Sequence, residues 1–312
     1  MVSQFNRRTL LRVVGAGAAL VGMPARAVGA RPPGLAITID DFNLADTPLM
    51  SGPVRDDAIR KTLRRHGVKA GGFVAGKYVD AERSPRVLAA WSEDGHLIGN
   101  HSFSHPYYGG RDPSGEMADI LKCEPLLTPY PGFRKLFRFP YLAEGKTAAG
   151  RDAMRALLRD HGYRNGHVTI DTSDWYVDQR LTARLTADPK ADIAPYRTYW
   201  LDHLWDRATY YDGLAQAVLG HSIDHTILLH HRLATALFLD DGLTLFRRRG
   251  WRLVDAAAAF ATPELNVDYD TRPSGQSLMW AAAKASGRFE GQLRYPGEDD
   301  TYEKPKMDAL GL

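Results

Sequence analysis

Leu35-Ala36-Ile37-Thr38-Ile39-Asp40-Asp41 is an apolar run that ends in two carboxylates, and its reading decides the fold. Residues Leu35 to Ile39 read as a buried strand, with both aspartates at its carboxyl end. The same order recurs along the chain. Four polar, helix-favouring stretches stop at Gly67, Gly95, Gly162 and Gly250, where glycine can take the left-handed conformation that closes a last helical turn. Soon after each comes a β-favouring run: Ala70 to Ala75, His96 to Gly99, His167 to Ile170 and Trp251 to Val254. Pro53 and Pro85 stand where a first helical turn accepts proline. With Lys135 to Phe139 and Thr226 to Leu229 added, about seven strands alternate with helices. Such alternation implies a parallel sheet with right-handed crossovers, either closed as a barrel or open and doubly wound. The expectation is an α/β fold, a distorted (β/α) barrel with a single catalytic domain.

The unusual polar residues fall at the carboxyl ends of these strands: Asp40 and Asp41, His101, Arg138, Asp171 to Trp175, and His230. Active sites of parallel α/β folds assemble on that face, because the loops there converge. Asp40 and Asp41 are adjacent on a strand end, so their side chains diverge and one can bind metal while the other stays free; an ordinary acidic turn is the alternative. His101 and His105 are four residues apart and can face one ion, or can be two surface or capping histidines. A carboxylate and two neutral imidazoles leave an open coordination position, as in catalytic sites of the zinc type. A free carboxylate beside the bound water is a natural general base.

In order along the chain, Thr38-Ile39-Asp40-Asp41, His101-Ser102-Phe103-Ser104-His105, Arg138-Phe139-Pro140-Tyr141, Asp171-Thr172-Ser173-Asp174-Trp175 and Ile227-Leu228-Leu229-His230 resemble the motifs of the polysaccharide deacetylase family. This is carbohydrate esterase family 4, which carries the NodB homology domain. The resemblance spans residues 38–230 and implies a role for each matching residue. Asp40 would be the base. Asp41, His101 and His105 would hold one divalent ion, zinc first, with cobalt, manganese or nickel as alternatives. His230 would be the acid that protonates the leaving amine, with Asp174 holding it. Arg138 would orient Asp40, the Tyr141 backbone N–H would face the oxyanion, and Trp175 would wall the acyl methyl group. The implied activity is hydrolysis of N-acetyl groups on an amino sugar or polysaccharide. An O-acetyl esterase, a deformylase, or an inactive glycan-binding module are the other readings. Two positions depart from the family: Phe42 and His231 stand where glycine and aspartate are usual. Asp171 either supports the pocket or begins a turn.

The ends of the chain carry their own expectations. Arg7-Arg8 followed by an apolar run of about 14 residues reads as a twin-arginine export signal over residues 1–30, since a membrane-spanning helix needs roughly 20. Export to the periplasm or beyond is the expectation, without a stable membrane span. Removing that segment leaves 36 basic residues against 37 acidic ones, so nothing suggests a nucleic-acid surface. The single cysteine, Cys123, has no partner for a disulfide or a CxxC site. Residues 31–262 form the expected catalytic domain, with an insertion over 179–222. Its Tyr196, Tyr199, Trp200, Trp205, Tyr210 and Tyr211 either stack on sugar rings or pack in the core. The tail, residues 263–312, is expected to wrap the barrel and has no readable site.

Overall fold

β1 (Gly34–Asp41) is buried along its whole length and anchors the sheet. The computed structural model describes residues 31–312 except Ser274 and Pro296, so the export signal expected over residues 1–30 lies outside it. The remaining strands are β2 (Gly71–Val74), β3 (Leu97–Asn100), β4 (Phe133–Phe137), β5 (Arg164–Asn165), β6 (Asp224–His230) and β7 (Arg252–Leu253). The sheet runs β5-β4-β3-β2-β1-β6, with β7 paired to β1, and every pairing is parallel. The expected alternation is realised. Helices α1 (Gly52–His66), α2 (Ser84–Glu93), α3 (Pro113–Cys123), α4 (Ala148–Asp160), α5 (Asp174–Ala187), α6 (Ala194–Leu219) and α7 (Leu233–Arg248) separate the strands. α8 (Ala256–Phe260), α9 (Leu278–Ala285) and α10 (Asp300–Ala309) follow them. Gly67, Gly95, Gly162 and Gly250 all have positive φ and end α1, α2, α4 and α7.

The expected strand over His167 to Ile170 is broken into two pieces. β5 lies earlier, on β4, whereas Ile170 bridges to Ile227 of β6. Because β5 and β6 are the two ends of the sheet, this crossing segment joins them and curls the sheet into a distorted barrel. The break has a cause in Gly166. Its N–H donates to the Phe137 carbonyl at 2.7 Å and its own carbonyl accepts the Arg138 Nε–H at 2.8 Å. A Cβ at position 166 would stand 2.4 Å from the Phe73 ring, so only glycine lets the chain pass there.

The stretch over 179–222 is the end of α5 and all of the 26-residue α6. Tyr196, Trp200 and Tyr211 are buried in the main core. Trp205 packs on Phe246 and Trp251, and Tyr210 donates to the Gln292 carbonyl at 3.0 Å. Core packing therefore replaces the sugar-stacking alternative: these rings line neither cavity beside Asp41. The tail contacts the same layer, with α9 against α6 and α10 against α5. No helix among the described residues is long and apolar enough to cross a membrane.

Phe42, directly after β1, adopts φ +56°, a left-handed conformation that a bulky residue takes only when its surroundings impose it. Its ring meets Trp91 edge-on at 5.0 Å and stacks on His231 at 5.1 Å. It also occupies the space above Gly72, where a Cβ would be 2.5 Å from its tip. The two departures from the family pattern are thus one packed unit: His231 is buried, stacked on Phe42, with Nε2 3.3 Å from Asp56 Oδ1. Replacing Phe42 by glycine would relieve left-handed strain of roughly 1–2 kcal/mol but empty a site whose loss costs about 3–5 kcal/mol. Packing should win, so Phe42→Gly is expected to lower the unfolding free energy by about 2–3 kcal/mol in chemical denaturation. A variant more stable than the wild type would show that strain dominates.

Candidate active site

Each candidate residue sits where a strand gives way to a loop. Asp40 and Asp41 end β1, His101 follows β3, Arg138 follows β4, Asp174 opens α5, and His230 ends β6. Registers align them: Asp40 lies beside His230 in the β1–β6 ladder and beside Phe73 in the β1–β2 ladder. Asp40, Asp41, His101, His105, Tyr141, Trp175 and His230 all line one cavity of about 540 Å³. Arg138 and Asp174 are not among its lining and are hydrogen-bonded to Asp40 and His230.

The two aspartates do diverge. Asp40 Oδ1 accepts from Arg138 Nη1 at 2.7 Å, and the guanidinium, itself wholly buried, also donates to Thr38 Oγ1 at 2.8 Å and lies over the Phe73 ring. Burial drives the Asp40 carboxyl up to about 6 despite the Arg138 charge and hydrogen bond, which pull it down. Asp41, at φ +77°, turns the other way, toward His105 Nε2 at 3.4 Å and His101 Nε2 at 3.9 Å. Burial alone would raise Asp41; His230, His101, His105 and Arg232 together hold it below the ordinary value.

Asp41, His101 and His105 bring one ligand atom each to within 4.8 Å of one another, the only such group of three among the described residues. Three features suit a divalent ion. His101 Nδ1 donates to the Arg138 carbonyl at 2.7 Å, which fixes the tautomer and leaves Nε2 with a lone pair toward the site. Burial lowers both histidines to about 4, so both are neutral at pH 7, as ligation requires. Asp41 Oδ1 is buried with no hydrogen-bond donor, an arrangement that costs free energy unless a cation completes it. The loop is held from outside the motif by Asp119 Oδ2, which accepts from the Phe103 and Ser104 N–H groups, and from within it by Ser102 Oγ, which accepts from the His105 N–H.

Across the cavity, His230 Nδ1 donates to Asp174 Oδ1 at 2.7 Å while Asp174 Oδ2 accepts the His230 backbone N–H at 2.8 Å. Nε2 is thereby left as the nitrogen that gains or loses a proton. Burial would push this imidazole down, but the Asp174 charge and hydrogen bond, with Asp41 beyond, raise it to about 9. Tyr141 has φ +56°, and its exposed ring meets His105 edge-on at 4.9 Å. Asp171 is buried and driven up to about 7, with the Glu298 and Thr172 N–H groups donating to it. It therefore supports the pocket wall. Tyr107, Gln276, Tyr295, Gly297, Glu298 and Asp299 also line the cavity and were not anticipated. Residues 276 and beyond carry no local motif, so only tertiary structure reveals them. A second cavity of about 660 Å³ shares Asp41, Trp175 and Arg232 with the first and extends over α5.

Comparison with known proteins agrees with this geometry. Residues 28–166 match the polysaccharide deacetylase family model, which takes in Asp40, Asp41, His101, His105, Arg138 and Tyr141 but stops before Asp174 and His230. A peptidoglycan-N-acetylglucosamine deacetylase of Bacillus cereus is 33% identical over 109 residues, 34% of this chain and 36% of its own length. A chitin deacetylase of Colletotrichum lindemuthianum is 27% identical over 158 residues, 50% of this chain and 59% of its own. The chain thus spans between about a third and three fifths of these curated relatives. In fold, a polysaccharide deacetylase from Bacillus cereus superposes with a TM-score of 0.53 at 18% identity, over 72% of this chain and 91% of that one. A carbohydrate esterase family 4 pseudoenzyme from Bacillus anthracis gives 0.50 at 18% identity, over 74% and 66%. With the motif residues brought to one cavity on a similar barrel, residues 28–166 of the chain are similar to the polysaccharide deacetylase family.

Proposed function

We propose that the protein is a metal-dependent hydrolase that removes N-acetyl groups from an amino sugar within a glycan. The observation that carries this reading is the placement of an Asp-His-His ligand group between a free carboxylate, Asp40, and a raised imidazole, His230, in a single cavity. A divalent ion, zinc in the first instance, with cobalt, manganese or nickel able to replace it, would be held by Asp41, His101 and His105 and would polarise the acyl carbonyl and acidify water. Arg138 fixes Asp40 Oδ1, so Oδ2 is the oxygen left to take the proton of the attacking water. The Tyr141 backbone N–H donates to the developing oxyanion. Trp175 walls the acyl methyl group. His230, cationic below about 9, delivers its Nε2 proton to the departing nitrogen. That acid favours an amide over an O-acetyl ester, because an amine leaves only once protonated, whereas an alkoxide leaves more readily.

The family fold alone does not carry activity, since one neighbour on it is a pseudoenzyme. Activity rests on the residues, and two aspartate variants separate their roles. Asp41→Asn exchanges a charged ligand for a neutral one, so metal content and acetate release should fall together, with partial rescue by excess ion. Asp40→Asn should keep its metal yet lose about 10² to 10⁴ in turnover, the contribution of a positioned base. Elemental analysis beside acetate release from chitin oligosaccharides and peptidoglycan fragments reads both. Full metal and full activity in both variants would reduce the pair to an acidic turn.

The His230–Asp174 pair sets the alkaline limit of activity. A group raised from 6.5 to about 9 is protonated throughout the neutral range and loses its proton as pH rises through 9, so kcat/KM should decline there. Asp174→Asn removes the chief raising influence and should move that limb toward acid by at least one pH unit, about 1.4 kcal/mol in differential interaction. An unmoved limb would assign the acid elsewhere.

Export through the twin-arginine route remains part of the proposal, supported by Arg7-Arg8 and the apolar run after them. Replacing both arginines by lysine should leave unprocessed precursor in the cytoplasm on fractionation, whereas normal export of that variant would remove the assignment.

A further inference from the structure

Part of the catalytic cavity is walled by residues beyond the family match: Pro273, Gln276, Tyr295, Gly297, Glu298 and Asp299. Within it Gln276 adopts φ +76°, a conformation that a residue bearing a Cβ takes at a cost and that clusters at functional sites. Its neighbour Gly275 packs so tightly that a Cβ there would lie 1.7 Å from the Leu142 carbonyl oxygen. That approach seats the turn on the Tyr141–Leu142 loop: Gly275 bridges Ala143, and the Gln276 N–H donates to the Leu142 carbonyl at 2.9 Å.

The side chain of Gln276 reaches in the opposite direction. Its Oε1 accepts the Gly297 N–H at 2.8 Å. Gly297 lies against Asp171, whose Oδ2 would be 2.8 Å from a Cβ at that position, and the next N–H, of Glu298, donates to the Asp171 carboxylate. The Glu298 side chain pairs with Arg207 of α6 at 2.9 Å and accepts from Ser173 Oγ at 3.4 Å. The Ser173 N–H in turn donates to His203 Nε2, also on α6. Asp171 to Ser173 lead directly into Asp174, the partner of His230. One unbroken path therefore runs from the Tyr141–Leu142 loop, through Gln276, to the residues that hold the catalytic imidazole.

We propose that Gln276 is a positioning residue: a strut that sets the separation between the Tyr141 loop, where the oxyanion is received, and the His230–Asp174 pair, which protonates the leaving nitrogen. The inference rests on the deacylation proposed above. Side-chain length is the operative property, because the backbone bond to Leu142 fixes one end and Oε1 the other. Gln276→Gly removes the strut and also the left-handed strain. Gln276→Asn keeps the amide and tolerates the left-handed backbone better than glutamine, but is one methylene too short to reach Gly297.

The experiment compares wild type, Gln276→Gly and Gln276→Asn, all metal-loaded, on an N-acetylglucosamine oligosaccharide and on an aryl acetate whose leaving group departs without a proton. Melting temperatures of both variants should equal or exceed that of the wild type. Their kcat on the amide should fall roughly 10- to 100-fold with KM little changed, as a misplacement near 1 Å would produce, while the aryl acetate loses less than about threefold. Equal losses on the two substrates, no loss on either, or a fall in activity that tracks a fall in melting temperature would each overturn the strut. A wild type inactive on both substrates would instead remove the deacylase reading, and the strut with it.

Discussion

The structure depends on a guanidinium that never meets water. Arg138 carries a full charge into the barrel, and a charge there is tolerated only when paired and hydrogen-bonded. It finds Asp40 and Thr38 on β1 and the carbonyl of Gly166, and rests its face on Phe73 of β2. Those four contacts tie together three separate parts of the sheet. They explain why position 166 is glycine, why the strand there breaks, and why the chain crosses to β6 to close the barrel. Removing one member of such a buried pair typically costs about 3–5 kcal/mol, because the survivor is left uncompensated. The arrangement that aims the carboxylate is thus also the one that shapes the barrel around it.

Much of this was legible in sequence, for a physical reason that also marks where legibility ended. Gly67, Gly95, Gly162 and Gly250 end helices through a conformation that is a property of one residue, so their positions could be read one at a time. Asp40, Asp41, His101, His105, Arg138, Asp174 and His230 stand at strand ends, where a local apolar run announces the location of each polar group. The split between β5 and Ile170 was hidden, because it follows from Arg138 and Phe73, distant in sequence from Gly166. The aromatics of α6 were ambiguous because a ring suits a core and a sugar face equally well. Which of the two it meets is decided by α7, α9 and the tail. Gln276 and Glu298 had no local signal at all: each matters through partners distant in sequence, among them the Leu142 and Ser173 loops.

The family barrel accommodates active enzymes and at least one pseudoenzyme, so the sheet sets the stage without determining the chemistry. In this chain the proposed ligand group, base and acid come from β1, the segment after β3, and β6, and hydrogen bonds hold each in place. His101 is oriented by a carbonyl after β4 and His230 by the first residue of α5, while the Ser102 hydroxyl holds the backbone of His105. Phe42 and His231 show the same interdependence in the core, where two departures from the usual family residues are intelligible only as a stacked pair.

Among the described residues, seven other than glycine have left-handed backbone: Asp41, Phe42, Ser102, His105, Tyr141, Leu142 and Gln276. Five of them line the cavity shared by Asp40 and His230, and the other two are chain neighbours of Asp41 and His101. Evolution of this protein therefore faces a divided landscape. Phe42 aside, where packing outweighs strain, the substitutions to glycine or asparagine that would relieve this backbone fall at or beside the proposed active site, and a lineage adapting to heat must find its gains in the helical layer instead.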